Sequence, residues 1–302
     1  MEQSIKDFLS CLKVGKGYSN NTIVAYRNDL AQFHRWLGQA TEPLVRSWAD
    51  VTKRILINYV LYLKTDREYA TATVARKIAA IKSFFHFLMG EGVIPENPTA
   101  TLDSPKVRKY LPKAISQEDV EKLLNAPTRR PGPRSLRDRA ILEVLYASGM
   151  RVSELVALNV GDVNLASDNV RCVGKAGKER VIPIYPQAAR AIQRYVNEGR
   201  IQLLRDADEK ALFLNHRGRR LTRQGLWLII KRYVEEVGIT DPVTPHTLRH
   251  SFATHMLSGG AELQDVQALL GHASISTTQV YRQITDEQMR EIYDEAHPRA
   301  EA

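Results

Sequence analysis

Two cysteines in 302 residues, Cys11 and Cys172, are too few and too far apart for a disulfide framework or a cysteine metal cluster. No HExxH motif is present, so the commonest zinc-hydrolase signature is missing. No apolar run approaches the roughly 18 residues that a membrane-spanning helix needs. The opening MEQSIKDFLSCLKV lacks the basic-then-apolar order of a secretory leader. Internal repeats and low-complexity tracts are absent too, which excludes solenoid and compositionally disordered classes. These absences point to a reducing, cytoplasmic setting and a folded, soluble chain. Acidic residues are also in deficit: 34 Asp and Glu face 43 Lys and Arg, a net charge of +9. A polyanionic partner fits that imbalance. The excess is shared, with net +4 through Lys106 and +5 after it.

The length favours two domains over one. Over the first ninety-odd residues the apolar positions follow helical spacing. Ile5, Phe8, Leu9 and Leu12 form one stripe, and Ile23, Tyr26, Leu30, Phe33 and Leu37 a second. A third helix is expected over Val51 to Leu63. The fourth, Thr71 to Met89, places Val74, Ile78, Ile81, Phe85 and Leu88 on one side. Its other side carries Arg76, Lys77 and Lys82, read either as a solvated face or as contacts to a polyanion. Four short amphipathic helices make a small bundle.

Residues 95–115 read as a linker, because PENPTATLDSPKVRKYLP holds four prolines and no periodicity. Lys106, Arg108 and Lys109 make it a cationic strap. The second domain, 116–302, opens on SQED, a capping pattern. Amphipathic helices are expected over Leu136 to Ser148 and Arg151 to Leu158, separated by Gly149. The period then shifts to a hairpin, with Val170 and Cys172 on one side of GKAGKER and Val181, Ile182 and Ile184 on the other. Lys175, Lys178 and Arg180 lie near its tip. A helix follows from Pro186, then a short strand at Ala211 to Leu214. The basic turn HRGRR and a helix from Thr222 come next, with Arg219 and Arg223 as further candidate polyanion contacts.

The last quarter carries the most chemistry. Thr244 is a good N-cap with Pro245 at the first helical position, and Gly259-Gly260 ends that helix. A second helix runs from Glu262 to Leu270 and stops at Gly271. A third leads from Ser274 or Ser276 into Tyr281. His246 and Arg249, three apart, share one helix face. His272 comes just after Gly271, and Tyr281 nine residues later. Two imidazoles, a guanidinium and a phenol suit phosphoryl transfer to a tyrosine. The phenol must lose its proton, and the charge that gathers on the phosphorane oxygens must be met by donors. Arginine is the best permanently charged partner for such oxygens.

Four separated motifs carry a resemblance that covers essentially the whole length. ASGMRVSELVAL holds Arg151, VGKAGKERVIPI holds Lys175, TPHTLRHSFATHML holds His246 and Arg249, and LLGHASISTTQVY holds His272 and Tyr281. In that order and spacing they resemble the tyrosine recombinases of the phage integrase family, Xer type (XerC/XerD-like). The resemblance implies a mainly α fold with a small antiparallel β-sheet in the C-terminal domain, built as a two-domain clamp on DNA. Residues 1–94 would be a SAM-like core-binding domain. It implies that Tyr281 attacks the scissile phosphate, that Arg151 and Arg249 clamp its non-bridging oxygens, and that Lys175 is the acid for the 5′-oxygen. His246 and His272 would assist proton transfer. No cofactor and no metal are implied. The implied partners are a double-stranded recombination site and a homo- or hetero-tetramer with a related recombinase, with a DNA translocase as activator.

Each assignment has a plainer competitor. Tyr293 is the rival nucleophile and Lys178 the rival lysine. Arg151 is placed to cap a helix, with Glu154 one turn later as its orienting partner, while His250 and His255 read as structural. In the tail, Met289, Ile292, Tyr293 and Ala296 form an apolar stripe, which packs either on its own domain or, as the resemblance implies, on a neighbouring protomer. Mobile-element integration, type IB topoisomerase-like strand transfer and a DNA-binding accessory role are the alternatives to chromosome dimer resolution.

Overall fold

The computed structural model describes residues 1–15, 18–40, 45–105, 114–174, 177, 179–271 and 286–300. Two compact units divide the chain, Met1–Tyr110 and Leu111–Ala302.

In the first unit, α1 (Glu2–Val14), α2 (Asn20–Ala40), α3 (Lys53–Thr65) and α4 (Thr71–Gly90) turn their apolar stripes toward one core. Phe8, Leu12, Leu30, Phe33, Leu63 and Ile78 are each at most 1% exposed. Aromatic rings fill the centre: Trp48 meets Phe84 edge-on at 4.8 Å between centroids, and Phe33 stands 4.8 Å from Tyr59. Such pairs add to the stabilisation given by buried area alone. Helix α3 starts after Thr52, whose hydroxyl accepts from the Ile55 amide, which sets its origin two residues later than the hydrophobic pattern suggested.

One expectation needs correction here. Lys77 does not stand on a polyanion-facing surface. It is buried, and its ammonium donates to Asp29 at 2.8 Å and to Gln32 at 2.6 Å. Asp29 is itself buried and pairs with Arg76 as well. Helical spacing alone cannot separate a solvated lysine from one facing a carboxylate on the next helix. Lys77→Met should therefore cost about 3 kcal/mol by removing one of the two cations that pair with the buried Asp29 carboxylate. A lowered thermal midpoint with an unchanged salt dependence of DNA affinity is the expected result. The boundary between the units falls inside the expected linker, and some of its side chains are buried. Leu102 is buried in the core of the first unit and Ile115 in that of the second, where its amide donates to Ser251. Within the span 95–115, Thr99 and Leu102 are thus buried in the first unit and Ile115 in the second. Lys106, Arg108 and Lys109 lie outside the described residues.

The second unit is built around α6 (Pro133–Ser148), in which Ala140 to Ala147 are buried on every side. A helix buried all round must satisfy its own polar groups. Arg137 donates to Asp138 and to the Leu214 carbonyl, Asp138 also receives Arg232 and Tyr233, and Glu143 accepts from Tyr185. Around it lie α5 (Gln117–Asn125), α7 (Val152–Ala157) and α8 (Pro186–Arg194), which runs through a π-turn at Tyr195–Arg200 into α9 (Ile201–Leu203). Then come α10 (Arg223–Val237), α11 (Pro245–Ser258), α12 (Leu263–Leu270) and α13 (Asp286–Ala296). The sheet is antiparallel in the order β1 (Val163–Asn164), β2 (Asn169–Val173), β3 (Glu179–Pro183). The strand expected at Ala211 to Leu214 is reduced to single bridges, Asn159 to Ala211 and Leu214 to Arg220. Beside them the Arg220 guanidinium caps α7, donating to the Val156, Ala157 and Leu158 carbonyls.

The tail packs on its own domain here, the first of its two readings. In this chain α13 packs against α11 and β3 of its own unit. Tyr293 is fully buried, and its hydroxyl donates to the Ala147 carbonyl at 2.9 Å. His297 stacks on Tyr293, and Arg299 lies over the Tyr185 ring at 4.9 Å. Of the apolar stripe, Tyr293 and Ala296 are buried within the chain and Met289 is partly buried against the same core.

Candidate active site

Helix α6 ends because Gly149 adopts φ +54, and a Cβ there would stand 2.4 Å from Phe252. The chain turns through buried Met150 and restarts at Arg151, the N-cap of α7. Glu154 closes that cap, accepting from the Arg151 amide at 2.8 Å and from its guanidinium at 3.1 Å. The capping role and the orienting role expected for this pair are one arrangement.

Helix α11 starts at Thr244, whose hydroxyl accepts from Thr247, with Pro245 next. One turn in, Arg249 donates to the Gly149 carbonyl at 2.5 Å and to the Leu270 carbonyl at 2.8 Å. Helix α12 ends at Gly271, with φ +62. Arg151 reaches the same terminus, donating to Leu270 at 3.4 Å and Gly271 at 3.3 Å. Sequence placed Arg151 and Arg249 about a hundred residues apart. The fold brings both guanidinium groups to one carbonyl oxygen. Helix C-termini carry partial negative charge, which favours cations there.

A third guanidinium, overlooked as a site residue in the sequence, completes the cluster. Arg180 on β3 donates to both Glu154 oxygens, at 3.2 and 3.0 Å, and to the Leu269 carbonyl at 3.1 Å. Its signal was the strand period: Arg180 pairs with Cys172 and Ile182 with Val170. Residues directly opposite share a face, so an arginine stands in line with two buried apolar neighbours.

Three arginines against Glu154 leave two positive charges concentrated at one spot. Burial, then the neighbouring Arg151 charge, pushes the Arg249 guanidinium down to about 10. Burial alone would raise the Glu154 carboxyl; the Arg180 hydrogen bonds and the Arg151 amide outweigh it and hold it at about 2. An anion with several oxygens is what such a cluster accommodates.

His246 lies one turn before Arg249 on α11 and is exposed. His255 is buried and hydrogen-bonds Tyr146 at 2.8 Å, so it is structural. Tyr293 is removed as a nucleophile: it is fully buried, and burial first of all holds its phenol well above the ordinary range. Arg219 and Arg223 are exposed, at the turn and at the first residue of α10, and Arg76 is half-exposed beside Asp29. Lys82 is half-buried. Lys175, Lys178, His272 and Tyr281 lie outside the described residues. Among the described residues no three His, Cys, Asp or Glu side chains stand together as a metal-ligand group, and no helix is long and apolar enough to cross a membrane.

Comparison with known proteins accounts for nearly the entire chain. Residues 113–288 match the phage integrase family, and residues 5–92 match the phage integrase N-terminal SAM-like domain. Tyrosine recombinase XerC of Herpetosiphon aurantiacus is 53% identical over 299 residues, covering 99% of this chain and 96% of the relative. Tyrosine recombinase XerD of Halalkalibacterium halodurans is 45% identical over 300 residues, covering 99% of each. The fold also matches the crystal structure of XerH site-specific recombinase bound to palindromic difH substrate in a post-cleavage complex. That match has a TM-score of 0.69 at 21% identity, over 96% of this chain and 80% of the other. This chain belongs to the phage integrase family and, within it, to the Xer-type tyrosine recombinases. It is an enzyme that cleaves and rejoins DNA through a tyrosine.

Proposed function

We propose that the chain recombines DNA at a specific site with Tyr281 as its nucleophile and resolves chromosome dimers at cell division. The convergence of Arg151 and Arg249 on one point at the end of α12, two residues before His272 in sequence, supports this reading. The Tyr281 oxygen forms a bond to the scissile phosphorus as its proton passes to a base. The bond to the 5′-oxygen breaks, and Lys175 supplies the proton that makes the free 5′-hydroxyl. Arg151 and Arg249 neutralise the non-bridging oxygens, where they matter most in the transition state. His246 and His272 hydrogen-bond the phosphate and relay protons. Attack by a 5′-hydroxyl from a second duplex then expels the tyrosine. The phosphodiester energy is conserved throughout, so no nucleotide cofactor enters.

Two duplexes present four strands, and each protomer brings one nucleophile. Four protomers, alone or mixed with a related recombinase, therefore pass through a Holliday junction. Residues 1–94 and 116–302 would grip the duplex together, with residues 95–115 joining them. Arg76, Lys82, Lys106, Arg108, Lys109, Lys178, Arg219 and Arg223 are the candidate phosphate contacts. The setting is the cytoplasmic nucleoid, with a DNA translocase as the activating partner.

Supercoiled plasmids carrying two copies of the site, one copy or none test this. Deletion or inversion between paired sites, with junction intermediates, is expected. Relaxation of all three plasmids without strand exchange would instead mark a type IB topoisomerase-like activity.

A further inference from the structure

The geometry points to Arg180 as a positioning residue for the cleavage reaction, holding the Arg151 guanidinium at the phosphate site through Glu154. This rests on the proposal that Arg151 contacts the scissile phosphate. The donors of Arg180 are committed to protein acceptors: Nη1 and Nη2 to the two Glu154 oxygens, and Nε to the Leu269 carbonyl. Its side chain is only 16% exposed, against 39% for Arg151. A planar fork suits both carboxylate oxygens at once, which an ammonium cannot match. Glu154, so held, presents one oxygen to the Arg151 amide and the other to its guanidinium.

Arg180 therefore links three parts of the site: β3, the start of α7 and the end of α12. Gly271 is fitted to the same group, since a Cβ there would lie 2.9 Å from Arg180 Nη1. The arrangement fixes the Leu270 and Gly271 carbonyls against which Arg151 and Arg249 rest. Without Arg180, Glu154 would stay buried with Arg151 as its one remaining ion-pair partner among the described residues, and Arg151 would swing to compensate that charge. A displacement of about 1 Å at a reacting group can slow chemistry by roughly 10²-fold.

Single-turnover cleavage by the full chain on two nicked suicide duplexes tests this. One carries the natural scissile phosphate and the other a neutral methylphosphonate in its place. Arg180→Gln is expected to slow phosphodiester cleavage by roughly 10- to 100-fold while leaving DNA affinity unchanged. On the methylphosphonate, where less charge needs neutralising, the variant should approach the wild-type rate. Arg180→Lys, which keeps the charge but not the fork, should fall between them. In a Glu154→Gln background, Arg180→Gln should cost little more, because the link is already cut. Equal loss on both duplexes, or full additivity with Glu154→Gln, would overturn the inference and leave Arg180 a stability residue. Should Arg180→Gln fold poorly, Arg180→Lys and the Glu154→Gln variant carry the same comparison. Arg151→Ala run alongside separates the two levels. If it loses nothing on the phosphodiester, the phosphate-clamp reading fails and the inference with it. If it shows the charge-dependent loss and Arg180→Gln does not, the Arg180 inference alone fails.

Discussion

Arg249→Ala should slow DNA cleavage by roughly 10²- to 10³-fold with little loss of site affinity. Charge grows on the phosphorane oxygens as the tyrosine attacks, so a guanidinium placed there acts mainly in the transition state. Arg249→Lys should be nearly as slow. An ammonium is a single point of charge and lacks the planar fork whose two nitrogens engage the Gly149 and Leu270 carbonyls. Those same bonds tie the end of α6 to the end of α12, so a modest drop in thermal midpoint should accompany the rate loss. Single-turnover rates at saturating enzyme, well below that midpoint, separate the effects. Weakened binding with a wild-type rate would remove Arg249 from the phosphate clamp.

Removal of residues after Thr285 should lower the thermal midpoint of the DNA-free chain by many degrees. Tyr293 is fully buried in its own unit and bonded to the Ala147 carbonyl. Tyr293→Ala alone should cost about 3–5 kcal/mol, or roughly 10 °C in a unit of this size. Tyr293→Phe loses only the hydrogen bond, about 1 kcal/mol. The same tail makes stability depend on pH. Burial first of all pushes the His297 imidazole down to about 3, whereas in the unfolded chain it titrates near 6.5. The unfolded state thus binds the extra proton first as pH falls. Stability is complete above about pH 6.5 and drains between there and about 3, by roughly 2 kcal/mol at pH 5. His297→Phe should flatten that part of the profile. A truncated chain that melts like the full one would restore docking on a neighbour as the tail's role.

Local chemistry made much of this legible. The stripes at Ile5, Phe8 and Leu12 and at Val74, Ile78 and Phe85 are buried as their spacing suggested. Gly149 and Gly271 stop their helices in the left-handed conformation, and Thr244 caps α11. Pairing across long separations was not legible. Lys77 looks like any helix-face lysine until Asp29 of α2 is brought under it. Arg180 looked like a hairpin-tip cation, although the period of β3 places it opposite buried Cys172. Proline content suggested a linker from residue 95, but Leu102 had enough apolar surface to join the core. The tail stripe showed correctly that something must cover it. The packing of α13 on α11 and β3 in this chain could not be read from that stripe.

The central claim is that Tyr281 forms the covalent bond to DNA. Trapping the full chain on a nicked suicide duplex, digesting both components and sequencing the nucleotide-linked peptide tests it most directly. A 3′-phosphotyrosyl adduct on Tyr281, absent from Tyr281→Phe while site binding persists, is the expected result. An adduct that survives in Tyr281→Phe, or that maps to Tyr293 or another residue, would contradict the account.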